Sequence, residues 1–167
     1  MTIILITGGA RSGKSVRAEA RVRAFADRPV YLATAEALDA EMAARIAQHR
    51  ARRGSEWIAR EVPLELAQAL IETDGGGARL VDCLTLWLSN LMHRERDVVR
   101  ETSLLAETLA RQQSPVVLVT NEVGLGIVPD NALARRFRDA AGVMNQMIAR
   151  VADEVEFVVA GLPMRVK

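Results

Sequence analysis

Residues 3–15 constrain the fold more tightly than any other stretch of the chain. IILIT, Ile3 to Thr7, is an apolar, β-branched run that passes directly into GGARSGKS, Gly8 to Ser15, and Ser15 to Ala26 then reads as a helix rich in Ala and Arg. Glycine, four residues, then glycine, lysine and serine, set between a strand and a helix, is the pattern of a phosphate-binding loop, or P-loop. The residues Gly8, Gly9, Ala10, Arg11, Ser12 and Gly13 are mostly small, so successive N–H groups can curl around phosphates at a helix start whose dipole favours negative charge. Lys14 is then placed to reach the terminal phosphates of a nucleoside triphosphate, and the Ser15 hydroxyl to ligate Mg²⁺. The alternative, a glycine-rich turn that caps a helix and holds nothing, does not explain the strand in front of it.

The same alternation continues downstream. Strand-like runs at Pro29–Thr34, Trp57–Val62, Arg79–Cys83, Pro115–Thr120 and Val155–Ala160 are separated by helical stretches. These are Asp39 to about Arg53, Pro63–Ile71, Leu84–Met92, Val98–Gln112, and a long one capped by Asp130 or Asn131 and running to Ala152. Asp74 with Gly75, Gly76 and Gly77 makes a turn. Leu133, Phe137, Ala140, Met144, Ile148 and Val151 recur at helical spacing and read as core. Strands without strict alternation, joined through helices, imply a parallel sheet covered on both faces. With the phosphate loop after its first strand, the expected fold class is α/β, P-loop NTPase (RecA-like), with a mainly parallel sheet flanked by helices. Ligands then bind at the carboxyl ends of the strands, which directs Thr7, Thr34, Asp82 and Thr120 toward one site.

With 167 residues, half of them hydrophobic, the chain is expected to form a single P-loop catalytic domain over 1–167. The formal charge of +1, from 22 basic and 21 acidic residues, gives no overall basic field, so no nucleic-acid partner is expected. The lone cysteine, Cys83, sits in an apolar run and is expected to be a buried, inert thiol, which suits a cytoplasmic protein. MTIILITGG has neither the basic start nor the apolar length of a signal peptide, and no transmembrane segment is evident.

Three further residues carry candidate chemistry. Asp82 ends an apolar strand, where P-loop proteins place a carboxylate for the metal or its bound water; the alternative is a cap for the next helix. Glu122, just after the Val116–Thr120 run, is a second candidate for that metal or for a general base. In RIAQHRARR, Arg45 to Arg53, the side chains of Arg45, His49 and Arg53 share a face. Arginines grip phosphates, and a neutral imidazole among cations resists protonation and keeps its lone pair for nucleophilic attack. Taken alone, the cluster reads more readily as a solvated basic helix end, favoured by the helix dipole, than as a catalytic histidine. His93 reads as incidental.

TGGARSGKS (7–15), AARIAQHRARR (43–53), LVDCLTLWLSNL (80–91), TNEVGLGIVPDN (120–131) and RFRDAAGVMNQ (136–146), in this order, span nearly the whole chain. Together they resemble the bifunctional adenosylcobinamide kinase / adenosylcobinamide-phosphate guanylyltransferase family of cobalamin biosynthesis. The resemblance implies two reactions. The hydroxyl of the aminopropanol arm of adenosylcobinamide takes the γ-phosphate of ATP or GTP; then GTP guanylylates a histidine, and the cobinamide phosphate accepts the GMP to give adenosylcobinamide-GDP. His49 stands at the position of that histidine, and Lys14 is its catalytic companion. The same carry-over puts Ala33, Thr34, Ala35, Arg50, Ala51, Arg52, Arg53, Glu61 and Asp82 around the nucleotide beside the P-loop, with Mg²⁺ on Ser15 and Asp82. Some members have Glu at the Asp82 position, and the shorter carboxylate suits a water-mediated metal contact. A corrinoid substrate and a cytoplasmic homo-oligomer, a trimer, complete what the resemblance implies. Two other readings stay open: an ordinary small-molecule or nucleotide kinase without covalent chemistry, and a nucleotide-dependent switch or ATPase module.

Overall fold

A computed structural model describes residues 1–37, 39–52 and 54–167, with all their side chains except those of residues 41, 45, 49 and 52. The elements follow in the order β1 (Ile3–Thr7), α1 (Lys14–Arg23), β2 (Val30–Ala33), α2 (Ala40–Arg52), β3 (Ile58–Glu61), α3 (Leu66–Thr73) and β4 (Arg79–Asp82). Next come α4 (Leu84–His93), α5 (Val98–Leu109), β5 (Val116–Val119), α6 (Ala132–Val151), β6 (Glu154–Val159) and β7 (Leu162–Arg165). Short polar side chains set the starts of α2, α5 and α6. Asp39 accepts the N–H of Met42 at 2.7 Å, Asp97 that of Arg100 at 3.0 Å, and Asn131, rather than Asp130, that of Ala134 at 2.7 Å.

One seven-stranded sheet runs β3-β2-β4-β5-β1-β6-β7, parallel throughout except for the β6–β7 pair. Residues alternate between its two covered faces. Ile3, Leu5, Leu32, Val81, Val116 and Leu118 pack with side chains of α3 to α6, whereas Ile4, Ile6, Tyr31, Leu80, Val117 and Val119 pack with Ala18 and Val22 of α1. This is the doubly covered parallel sheet expected from the continuous apolar strands.

Three expectations need correction, and one strand has no counterpart among the expected elements. The first helix stops at Arg23 instead of Ala26, and α3 starts at Leu66 because Pro63 to Glu65 form its approach. Leu133 is 61% exposed, although Met144 and Ile148 of the same stripe are buried, because the first turn of α6 extends past the core. The strand β7 carries no strand signal in its sequence. Pro163 argues against a strand, and it is tolerated here because β7 is an edge. The turn before it uses Ala160 and Gly161 at φ 51° and 80°, the doubly positive geometry of a two-residue hairpin. Among the described residues, no helix is long and apolar enough to cross a membrane.

Candidate active site

The loop at 8–15 joins β1 to α1 and is backed by the β6–β7 hairpin. A Cβ on Gly8 would lie 2.5 Å from the Val158 carbonyl oxygen, and one on Gly13, at φ 95°, would lie 3.0 Å from the Cα of Gly161. Both positions therefore require glycine. The Gly161 N–H donates to the Ser12 carbonyl at 2.8 Å, and the Glu122 N–H donates to that of Gly8 at 3.0 Å. Lys14 is 8% exposed and donates from Nζ to the Gly9 carbonyl at 2.9 Å, so its ammonium arches over the loop. Among the described residues, the buried Ser12 hydroxyl is one of few buried side-chain groups without a hydrogen-bond partner. The helix behind the loop is clamped to β6: Arg17 donates two bonds to Glu156, each 2.7 Å, and Arg21 reaches Glu156 at 2.8 Å and Glu154 at 2.9 Å. Those bonds from Arg17 outweigh the effect of burial and hold the Glu156 carboxyl below the usual carboxylate range.

Strand register brings the next residues into a row. Ala33 pairs with Glu61 on one side and Asp82 on the other, Asp82 pairs with Val119, and Val119 with Ile6, two residues before Gly8. Glu61, Ala33 and Asp82 thus share the carboxyl edge of the sheet with the loop. Tyr31 donates its hydroxyl to Asp82 Oδ2 at 2.9 Å and fixes the carboxylate. The Asp82–Cys83 peptide is cis. Burial, then the charge of Asp82, pushes the Cys83 thiol up to about 11 against the opposing pull of two backbone N–H groups and Lys14. A hydroxyl and a fixed carboxylate at the loop, Ser15 and Asp82, are hard oxygen donors of the kind Mg²⁺ takes alongside phosphate oxygens and water. Glu122 differs: its carboxylate accepts the N–H groups of Gly124 and, at 3.0 Å, Leu125, so it ties its own loop together.

α2 and β3 meet where Arg50 and Glu61 approach to 3.5 Å, with both side chains exposed. Ala51 is exposed beside them, and Ala33 accepts the Val62 N–H at 2.7 Å. The side chains of Arg45, His49 and Arg52, and the whole of Arg53, lie outside the described residues; His49 is within the span of α2. Two strand-end threonines do not face the site. Thr34 is fully buried and exchanges hydrogen bonds with the Cys83 carbonyl and N–H, while Asn90 donates to its carbonyl at 2.8 Å. Thr120, also buried, donates to Asn145 Oδ1 at 2.8 Å. They brace the strand ends because each hydroxyl finds a buried partner nearby. Tyr31 and Gly161 were not foreseen, since a strand tyrosine and a glycine far from the loop carry no local signal.

A family model described as cobinamide kinase / cobinamide phosphate guanyltransferase matches residues 4–166. The chain belongs to this family. It is 49% identical over 167 residues to the bifunctional adenosylcobalamin biosynthesis protein CobP of Pseudomonas aeruginosa, covering 98% of this chain and 96% of that protein. It is 43% identical over 182 residues to the bifunctional adenosylcobalamin biosynthesis protein CobU of Salmonella typhimurium, covering 99% of each. Among solved structures, the fold is shared with the P4 protein of bacteriophage phi6 in complex with ADP, at TM-score 0.52 and 16% identity, over 97% of this chain and 52% of that one. It is shared too with an ATPase of a bacterial type III secretion system, at TM-score 0.60 and 12% identity, over 98% and 56%. These likenesses establish the fold of this family member as that of P-loop NTPases.

Proposed function

We propose that one nucleotide site, built on the loop at 8–15 and the row Glu61, Ala33 and Asp82, serves both activities of the family in turn. The protein is a cobinamide kinase and cobinamide-phosphate guanylyltransferase of cobalamin biosynthesis, with nucleoside triphosphates as donors. In the first reaction the hydroxyl oxygen of the cobinamide arm bonds to the γ-phosphorus of ATP or GTP; the bond to the β-phosphate oxygen breaks, and the hydroxyl proton leaves to solvent or to a nearby carboxylate. Lys14 and the loop N–H groups hold the triphosphate and the charge that moves onto the departing diphosphate. Bound Mg²⁺, held by Ser15 and, directly or through water, by Asp82, would neutralise charge on the phosphate oxygens.

In the second reaction a ring nitrogen of His49 bonds to the α-phosphorus of GTP and pyrophosphate leaves. An oxygen of cobinamide phosphate then displaces the imidazole and forms the diphosphate link of the product. Arg50 stands by this transfer, with Arg52 and Arg53 as companions. The observation that supports a shared site is the register row: it sets the carboxyl ends of β3, β2 and β4 side by side on the edge where the loop opens, and Arg50 of α2 meets Glu61 there. The corrinoid acceptor, a homotrimeric assembly, a cytoplasmic location and one catalytic domain over 1–167 belong to the same reading.

The test is the separation of the two chemistries. His49→Ala is expected to abolish protein labelling by α-labelled GTP and formation of adenosylcobinamide-GDP while retaining phosphorylation of adenosylcobinamide. Mass spectrometry of the wild type is expected to place an acid-labile, base-stable guanylate on the peptide containing His49. An adduct on His93 or on a lysine would refute the assignment, as would a His49→Ala protein with full guanylyltransferase activity.

A further inference from the structure

A cavity of about 450 Å³ lies between the end of α4 and the start of α6, and neither the loop nor the nucleotide row uses it. Met92, Leu133 and Phe137 are its apolar walls, and Ser89, His93 and Asn131 its polar rim. The rim is arranged for amides. His93 Nδ1 lies 2.8 Å from the Ser89 carbonyl, which fixes a proton on that nitrogen in the neutral ring and leaves Nε2 as an acceptor. Asn131 spends its Oδ1 on capping α6, so its NH₂ is the side that remains to donate.

Two segments connect the groove to the loop end of the sheet. Thr85, three residues after Asp82, accepts the Asn121 N–H at 2.7 Å, and Ser89 stands one helical turn further along α4, about 6 Å. On the other side, the segment from Glu122 to Asn131 begins at a hydrogen bond to Gly8 and ends in the groove. That segment exposes Leu125, Ile127 and Val128 at 82%, 97% and 60%, an apolar run that continues into Leu133 at 61%. Apolar surface of this extent next to a reaction centre marks a face that something covers.

Resting on the reading that the acceptor is a corrinoid, we propose that this groove and the exposed run beside it seat one edge of the corrinoid macrocycle. A corrin ring carries methyl groups and carboxamide arms around its rim, which match apolar walls edged by an imidazole acceptor, a hydroxyl and a side-chain NH₂. Its aminopropanol arm then runs back from Ser89 past Thr85 toward Asp82, seven residues earlier in the chain, and the loop, the direction in which the hydroxyl has to travel.

The experiment uses the whole protein, adenosylcobinamide and GTP. Leu133→Asp suits it because the residue is exposed in the first turn of α6, where a negative charge favours the helix, so folding is preserved. Phe137→Ser is the second variant and Leu133→Met the conservative control. Both disruptive variants are expected to raise KM for adenosylcobinamide at least tenfold. KM for GTP, labelling by α-labelled GTP without corrinoid, and the mass by light scattering are expected to stay at wild-type values, and Leu133→Met to behave as wild type. An unchanged KM for adenosylcobinamide in both variants overturns the groove. So does an altered mass, which would give this face to a second copy of the chain. A wild-type protein that neither phosphorylates adenosylcobinamide nor takes up label would instead sink the functional reading on which the groove rests.

Discussion

Glu156→Gln tests whether the clamp behind the P-loop is a working part of the site. Glu156 is 4% exposed and accepts three bonds from Arg17 and Arg21, at 2.7, 2.7 and 2.8 Å. Removing one partner of a fully buried pair costs about 3–5 kcal/mol. Here the arginine side chains are 33% and 20% exposed and Arg21 keeps Glu154, so water and the second carboxylate recover part of the loss. About 2 kcal/mol is the expected destabilisation near pH 7, a fall of about 1 M in the urea midpoint. The pH dependence has a definite sign. The folded carboxyl titrates below its ordinary value of 4.5, so the native state is favoured by the ionised form. That contribution is complete above the ordinary value and is lost as pH falls through the depressed one. The gap between wild type and variant is expected to be full at pH 7 and to narrow steadily below 4.5. Since α1 starts at Lys14, the variant is also expected to raise KM for GTP. Equal urea midpoints at pH 7, or a gap that persists undiminished into acid, would refute the reasoning.

Lys14→Ala is expected to lose both activities in a folded protein, with at least about ten- to a hundredfold weaker GTP binding from the lost charge-assisted contacts; full retention of either activity argues against a shared site. Asp82→Asn keeps size and removes charge, so both activities are expected to fall and to require more Mg²⁺, measured by titration after chelation. An unchanged Mg²⁺ requirement would transfer the metal to Glu122. Cys83, with its thiol pushed up to about 11, is expected to resist a disulfide reagent at pH 8 in the native protein and to react once in urea; rapid native labelling would contradict its burial.

The parts of the site legible in the sequence are those whose signal is local. GGARSGKS names its own conformation because the strand before it, the glycines and the Lys-Ser pair are contiguous. Asp82 was legible because it ends an apolar run, and the parallel sheet because its strands lack alternation. What escaped depends on distant partners. Nothing near Gly161 announces that its N–H supports Ser12, nothing near Tyr31 that its hydroxyl orients Asp82, and Leu133 follows the helical period of Met144 and Ile148 although its turn has left the core. Thr34 and Thr120 show the same limit from the other side: their strand-end position was read correctly, but the direction of each hydroxyl is set by Cys83 and Asn145, which no spacing rule links to them.

The central place of β1, between β5 and β6, has a consequence for how the protein is made. The P-loop belongs to an early part of the chain, yet its supports come late: Glu122 bonds to Gly8, Val158 lies against it, and Gly161 bonds to Ser12. A nascent chain that has emerged only as far as α5 carries the entire loop sequence on a strand with both edges unpaired, a form that neither cradles a triphosphate nor resists association with its neighbours. Such long-range closure slows folding relative to local contacts. Nucleotide is therefore a ligand of the finished sheet and cannot help to nucleate it, so triphosphate added during refolding is expected to stabilise the product without speeding the step that forms it.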